Sequence, residues 1–137
     1  MKKTFSLLFA ILLFSVLVLS ACGGGSTADT PSVPAAYAGK TNPLGSDAAT
    51  AGKPIYDVQC ASCHGAGGKG DGPAGQALTP PAANLVESVA NFADDYIYYR
   101  IAEGGTMDPY NSSMPPFKNV LSEDEIWQVV AYTNTLK

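Results

Sequence analysis

The chain has 137 residues, which is the length of one domain, and carries eight Lys and Arg against twelve Asp and Glu. Its net charge of −4 argues against nucleic acid as a partner, because phosphate backbones are bound mainly through basic side chains. Three cysteines are an odd number, so they cannot all pair as disulfides within the chain.

Residues 1–21 have the pattern of a signal peptide: two lysines, an apolar run over 7–19, and small residues before Cys22. The run is shorter than the roughly 20 apolar residues that a membrane span needs. The stretch Leu-Ser-Ala-Cys at 19–22 resembles the lipobox of bacterial lipoproteins, in which the cysteine carries acyl chains. We therefore expect lipidation of Cys22 and a location on a membrane of the bacterial cell envelope, facing the periplasm or the exterior. A retained helix and an unmodified thiol are the alternatives.

The segment 22–49 is rich in Gly, Ser, Thr, Ala and Pro without hydrophobic periodicity, so it is predicted to be a flexible linker. About 28 flexible residues have a root-mean-square reach on the order of 30 Å. The folded domain is then 50–137. Without the signal peptide, the chain keeps six basic and twelve acidic residues, and a net charge of −6 favours a basic docking face on its partners.

Three helices are predicted in this domain, and no run alternates as a strand would. The first covers 51–60, and its regular part should be short because Pro54 fits only a first turn. The second covers 93–103, with acidic residues in its first turn and Gly-Gly as its stop. The third covers 123–136 and begins with a Ser-x-x-Glu capping box. Its apolar face is formed by Ile126, Val129, Val130 and Thr133.

The motif Cys-Ala-Ser-Cys-His at 60–64 carries the chemistry. Its spacing is that of c-type haem attachment, with two thiols placed for thioether bonds and an imidazole able to reach the iron. A zinc site would need further ligands, but Cys22 lies in the linker and His64 is the only histidine. A thioredoxin-like dithiol lies in a βαβ unit, and the sequence shows no such arrangement of strands and helix around the motif. The sequence predicts one covalent haem c, bound through Cys60, Cys63 and His64.

Further segments of the sequence resemble those of a known family that carries this motif. With the motif, they make 50–137 resemble a class I cytochrome c. The resemblance implies a small all-α fold, with three main helices and Gly/Pro-rich loops wrapped around one haem, and with histidine and methionine on the two faces of the iron. It also implies that the first and last helices cross, with Gly52 permitting their close approach. The segments are Gly52-Lys53-x-Ile55-Tyr56, the glycine-rich loop 68–73, Met-Pro-Pro-Phe at 114–117, and the Ile126-Trp127 and Ala131-Tyr132 pairs of the last helix.

Met107 and Met114 are the only methionines after Met1, so they are the candidates for the sixth iron ligand that the resemblance implies. Met114 is favoured because it matches the family's Met-Pro-Pro-Phe pattern and because the two prolines restrict the loop backbone. Met107 lacks that support, and either methionine could instead fill the core. His64 and Met114 are then the predicted axial ligands of the iron.

The partners of these groups are predicted from general chemistry. A metal-bound histidine usually donates its other ring nitrogen to a carbonyl, and in the family that carbonyl belongs to a downstream proline. Pro73, Pro80 and Pro81 qualify, and the Pro80-Pro81 pair is favoured because an Asn-Leu pair follows it. A buried propionate would need a donor, which Arg100 or Trp127 could supply; the alternatives are a solvated charge for Arg100 and a core position for Trp127.

With side chains on both faces of the iron, no position is open for a substrate, so we expect an electron carrier and no enzyme activity. A methionine ligand and a buried haem raise the potential, which fits a respiratory chain downstream of quinol oxidation. The preferred role is a lipid-tethered carrier with redox protein partners. The alternatives are a fixed monohaem relay subunit of a quinol-oxidising membrane complex such as alternative complex III, and a haem peroxidase, which would require an open iron face or a second haem motif.

Overall fold

The computed structural model describes residues 32–107 and 109–137, and its compact unit runs from Ser32 to Lys137. The predicted signal peptide, Cys22 and the first part of the predicted linker lie outside the described residues. Within the described ranges, no helix combines the length and the apolar character that a membrane span requires.

The described residues contain helices and turns but no strands. The helices are α1 (Ala48–Gln59), α2 (Ala61–His64), α3 (Pro73–Gln76), α4 (Leu85–Asn91), α5 (Asp94–Glu103) and α6 (Glu123–Thr133). The prediction of a small all-α fold is confirmed. Helices α1, α5 and α6 are the three predicted ones. Helices α2 to α4 were not predicted, because they are too short to display a hydrophobic period.

Helix α1 is longer than predicted. It begins at Ala48, so Pro54 is its seventh residue and lies in the second turn instead of the first. A proline removes the hydrogen bond to the carbonyl four residues earlier, which belongs to Thr50. Both residues are exposed, so water can bond to the freed carbonyl and the helix continues to Gln59.

Helices α1 and α6 make the most extensive helix–helix contact of the described part. Gly52 lies against α6, and a side chain at this position would collide with the backbone carbonyl of Gln128. One turn later Tyr56 is fully buried, with its ring 5.0 Å from the ring of Tyr132. The predicted crossing of the first and last helices is therefore present. The predicted apolar face of α6 is buried in full, comprising Ile126, Val129, Val130 and Thr133.

The predicted starts of α5 and α6 agree closely with the structure. The capping box of α6 is formed in both directions, since Glu125 N–H donates to Ser122 Oγ and Ser122 N–H donates to the Glu125 carboxylate at 2.8 Å. Helix α6 ends at Thr133, three residues before its predicted end. Helix α5 ends at Glu103 as predicted, with Gly104 as its C-cap.

The segment 33–47, which we call the N-terminal strap, is packed on the helical domain. The predicted linker over 22–49 is therefore wrong in its second half. The ring of Tyr37 lies 6.0 Å from the ring of Tyr98 and 5.3 Å from that of Tyr99. Its hydroxyl donates to the carboxylate of Glu103. Aromatic contacts of this kind attach a chain segment even where the segment itself has no helix or strand.

Polar contacts extend the attachment of the strap. Gly39 N–H donates to the Asp95 carboxylate at 2.8 Å, and the side chain of Asn42 donates to the carbonyl of Trp127 at 3.1 Å. These partners lie 56 and 85 residues further along the chain. A composition rich in small and polar residues predicted a solvated linker, but composition does not reveal partners at such separations.

Candidate functional site

The Cys-x-x-Cys-His motif lies at the junction of α1 and α2. Cys60 ends α1 and precedes α2, with its N–H bonded to the carbonyl of Tyr56 at 2.8 Å. The N–H of His64 then bonds to the carbonyl of Cys60 at 2.9 Å. Residues three and four apart on a helical turn lie on the same side. Cys60, Cys63 and His64 accordingly line one cavity of about 330 Å³.

A second cavity, of about 240 Å³, shares part of its wall with the first. Its walls come from α1, α4, α5 and α6 and are mainly aliphatic and aromatic. This apolar space beside the motif fits a flat, largely apolar prosthetic group attached to the two thiols. The residues that line both cavities are Cys60, His64, Ala83, Arg100, Tyr110 and Met114.

The two candidate methionines are placed differently. Met114 is partly buried against the core and lines both cavities together with His64. Met107 lines neither cavity, and its carbonyl accepts hydrogen bonds from the N–H groups of Tyr110 and Asn111. The structure therefore brings Met114, and not Met107, to the space that the haem motif faces.

The carbonyl that supports His64 is not from a proline. His64 Nδ1 donates to the carbonyl oxygen of Ala83 at 2.9 Å, two residues after the favoured Pro80-Pro81 pair. Backbone pairing explains the offset, because Leu85 N–H donates to Gly68 O at 2.6 Å and aligns the chain before α4 with the loop after the histidine. A proton on Nδ1 leaves Nε2 as the nitrogen able to bind a metal.

Arg100 is the cationic group in the wall of both cavities. Its guanidinium lies 3.3 Å from the ring centroid of Tyr110, and its Nη1 is buried with no hydrogen-bond partner among the described residues. A buried hydrogen-bond donor without an acceptor is costly, by about 1–3 kcal/mol. A haem propionate entering the cavity would supply the missing acceptor, so the residues fit the group. Trp127 lines neither cavity and stacks on Tyr98 at 4.4 Å, which matches a core position.

Burial also affects the ionisation of the motif. Burial and, to a smaller extent, the neighbouring Cys63 raise the pKa of the Cys60 thiol to about 11. Cys60 is then protonated at neutral pH, which argues against Cys60 as the nucleophile of a redox-active dithiol. Burial lowers the pKa of His64, and the bond to Ala83 opposes that change only in part. The imidazole is therefore neutral at neutral pH, the form that binds metals.

Sequence reasoning missed part of this site. Ala83 and Tyr110 were not singled out, since an alanine carries no side-chain signal and a tyrosine in a loop is common. Arg100 was considered only as one of two donors. A signal for Arg100 did exist: it is the one basic residue of α5, whose other central positions are tyrosines and isoleucines that are buried.

Comparison with known proteins gives matches to a family model, to a curated protein and to a solved structure. The family model described as cytochrome c oxidase, cbb3-type, subunit III matches residues 47–132. Cytochrome c-554(547) of Halothiobacillus neapolitanus is 34% identical over 95 residues, which cover 65% of this chain and 97% of that protein. A chain of the reducing HAO-like protein complex of Kuenenia stuttgartiensis has a similar fold, with a TM-score of 0.55 at 23% identity. That match covers 72% of this chain and only 50% of the other one.

The family match covers more than half of the chain and includes the whole Cys-x-x-Cys-His motif. The sequence contains that motif once, which corresponds to one haem. The fold and the apolar cavity beside the motif agree with this family. The chain therefore belongs to the family of the cbb3-type subunit III model and is a monohaem class I c-type cytochrome, which transfers electrons through a covalently bound c-type haem.

Proposed function

We propose that this cytochrome is a membrane-tethered electron carrier, with His64 and Met114 as the axial ligands of its iron, that receives electrons downstream of quinol oxidation. When bound, the haem supplies a one-electron Fe(III)/Fe(II) couple. The observation that carries the proposal is that His64 and Met114 line the same two cavities. Ligation from both sides leaves no position for a substrate, which supports electron transfer over peroxidase chemistry.

The surrounding residues support a raised potential. Tyr96, Ile97, Ile101 and Val129 are buried and line the second cavity, so they exclude water from one side of the site. A dry, apolar environment disfavours the more highly charged oxidised iron, and a thioether ligand acts in the same direction. A raised potential fits an acceptor of electrons from quinol oxidation.

The lipobox resemblance places the proposed anchor at Cys22, and ten residues, 23–32, separate it in sequence from the strap. Ten residues span at most about 35 Å even when fully extended. This upper limit favours partners close to the membrane surface. It equally favours a second candidate role, as a fixed relay subunit of a quinol-oxidising membrane complex such as alternative complex III.

The test of ligation is the near-infrared methionine-to-iron charge-transfer band of the oxidised protein. Met114→Ala should abolish the band and lower the midpoint potential, while haem stays attached because its thioethers lie elsewhere in the chain. Met107→Ala is the matched control and should change neither. A parent protein without the band contradicts His/Met ligation. A band lost only in the Met107 variant reverses the assignment.

The test of the tether is the fractionation of cells that produce Cys22→Ala. The haem-containing domain should move to the soluble fraction, because acyl chains supply the membrane affinity in this proposal. If the variant stays bound after high-salt washing, lipid anchoring is contradicted. Detergent solubilisation of the native protein then separates the two roles: a carrier migrates alone, and a relay subunit migrates with other subunits.

A further inference from the structure

The end of α5 lies directly under the segment that carries Met114. The N–H of Gly105 donates to the carbonyl of Met114 at 2.9 Å, and the N–H of Ser112 donates to the carbonyl of Gly105 at 2.7 Å. Both bonds involve Gly105, which they pair with the segment 112–114. The segment that carries the candidate ligand is thus attached to α5 by its backbone.

The pairing continues beyond Met114. Phe117 N–H donates to the carbonyl of Ile101, and Lys118 N–H donates to that of Ala102, both at 3.1 Å. The last carbonyls of a helix have no partner within the helix, so these bonds satisfy groups that would otherwise need water. The whole segment 112–118 therefore lies on the last turn of the helix that also contributes cavity wall.

Gly104 makes this arrangement possible in two ways. Its φ of 75° and ψ of −153° belong to a region that is essentially restricted to glycine. A Cβ at this position would lie 2.6 Å from the carbonyl oxygen of Met114 and 2.7 Å from backbone atoms of Pro115 and Pro116. Because these are all backbone atoms, no change of rotamer can relieve the collision.

Gly105 has a different environment. A Cβ there would meet Ser112 Oγ, and would lie 2.7 Å from Arg100 Nη2. Both are the ends of flexible side chains, which can turn away. The two glycines are adjacent in sequence, but only at Gly104 would a side chain collide with the backbone of the segment that carries Met114.

We propose that Gly104 is a positioning residue for Met114: the missing side chain lets the segment 112–118 rest on the end of α5 and keeps the thioether at the cavity. This inference rests on the proposed ligation of iron by Met114. A side chain at residue 104 pushes the segment away from α5 and shifts the equilibrium between ligated and detached Met114. Backbone strain of this kind corresponds to a shift of roughly 5- to 150-fold.

The experiment uses the full haem-containing protein and the variant Gly104→Ala. Haem should remain covalently attached, the near-infrared band should weaken or vanish, and the midpoint potential should fall. Added imidazole should bind the iron more tightly by the same roughly 5- to 150-fold, because its apparent affinity scales with the fraction of detached Met114. A variant with the parent's band and an imidazole affinity within about twofold of the parent's overturns the proposal.

A matched variant separates positioning from general destabilisation. Gly39 in the strap also has a φ of 75°, but a Cβ there would meet nothing within 4 Å, so Gly39→Ala adds strain without the contact and should keep the band. If Gly39→Ala weakens the band as much as Gly104→Ala does, the effect is general and the proposal is wrong.

A second measurement on the parent protein covers the case in which Gly104→Ala does not fold. The backbone bonds between Gly105 and the segment 112–114 and the ligation of iron by Met114 stabilise each other reciprocally. Displacing Met114 with imidazole should therefore speed hydrogen exchange at the amides of Gly105 and Ser112. The amide of Cys60, bonded to Tyr56, is the internal control. Unchanged exchange at Gly105 and Ser112 overturns the positioning role. A parent that lacks the band contradicts ligation itself, so the two failures are distinguishable.

Discussion

Replacing Tyr37 should loosen the N-terminal strap and destabilise the domain. Its ring forms two aromatic pairs, with Tyr98 and Tyr99, and such pairs contribute about 0.5–1.5 kcal/mol each. Its hydroxyl donates to the Glu103 carboxylate, and hydrogen bonds to charged groups contribute about 1.5–3 kcal/mol. Because the side chain is only half-buried, the lower ends of these ranges apply. We expect Tyr37→Ala to lower the free energy of unfolding by about 2–3 kcal/mol and Tyr37→Phe by about 1–1.5 kcal/mol.

The assay is denaturant unfolding of the haem-containing protein, followed by far-ultraviolet circular dichroism, together with limited proteolysis. Tyr37→Ala should expose the strap 33–47 to cleavage before the helices are cut, since a detached segment opens locally. Thr41→Ala, an exposed position of the same strap, is the control and should stay within about 0.5 kcal/mol of the parent. If Tyr37→Ala also stays within that limit, the strap does not contribute to stability and this reasoning is refuted.

Two further predictions concern attachment and pH. The double variant Cys60→Ala with Cys63→Ala should lose haem from the polypeptide on a denaturing gel, where thioether bonds would retain it; covalent haem in that variant would contradict the attachment site. Hydrogen bonds from Lys118 and Tyr37 hold the pKa of Glu103 below its usual 4.5. The ionised carboxylate therefore stabilises the fold above pH 4.5. This contribution is lost as the pH falls through the lowered pKa. Thermal unfolding of the parent and of Glu103→Gln should therefore differ at neutral pH and converge in acid; a difference independent of pH would contradict this.

The features predicted well are those encoded by neighbouring residues. The capping box at Ser122 and Glu125 joins groups three residues apart, and the apolar face of α6 follows from helical spacing alone. The start of α1 was misplaced because Pro54 was read by its usual preference. That preference is weaker where the freed carbonyl is open to water.

The strap shows the opposite situation. The apolar residues of the strap are irregularly spaced among small and polar residues, so no periodic pattern predicts their partial burial. They are Val33, Tyr37 and Leu44. The attachment of Tyr37 depends on the aromatic surface of α5, which exists only after the chain has folded.

The prediction of the haem attachment site came from the sequence itself, because Cys60, Cys63 and His64 lie within five residues and one helical turn brings them together. The tertiary structure alone decided which carbonyl supports His64, which methionine lines the cavities and that Nη1 of Arg100 is buried without a hydrogen-bond partner among the described residues. The sequence offered several prolines for the carbonyl, two methionines for the iron ligand and two donors for the propionate. The choice among them depends on backbone pairing between distant segments, and a linear pattern of residue types does not contain those distances.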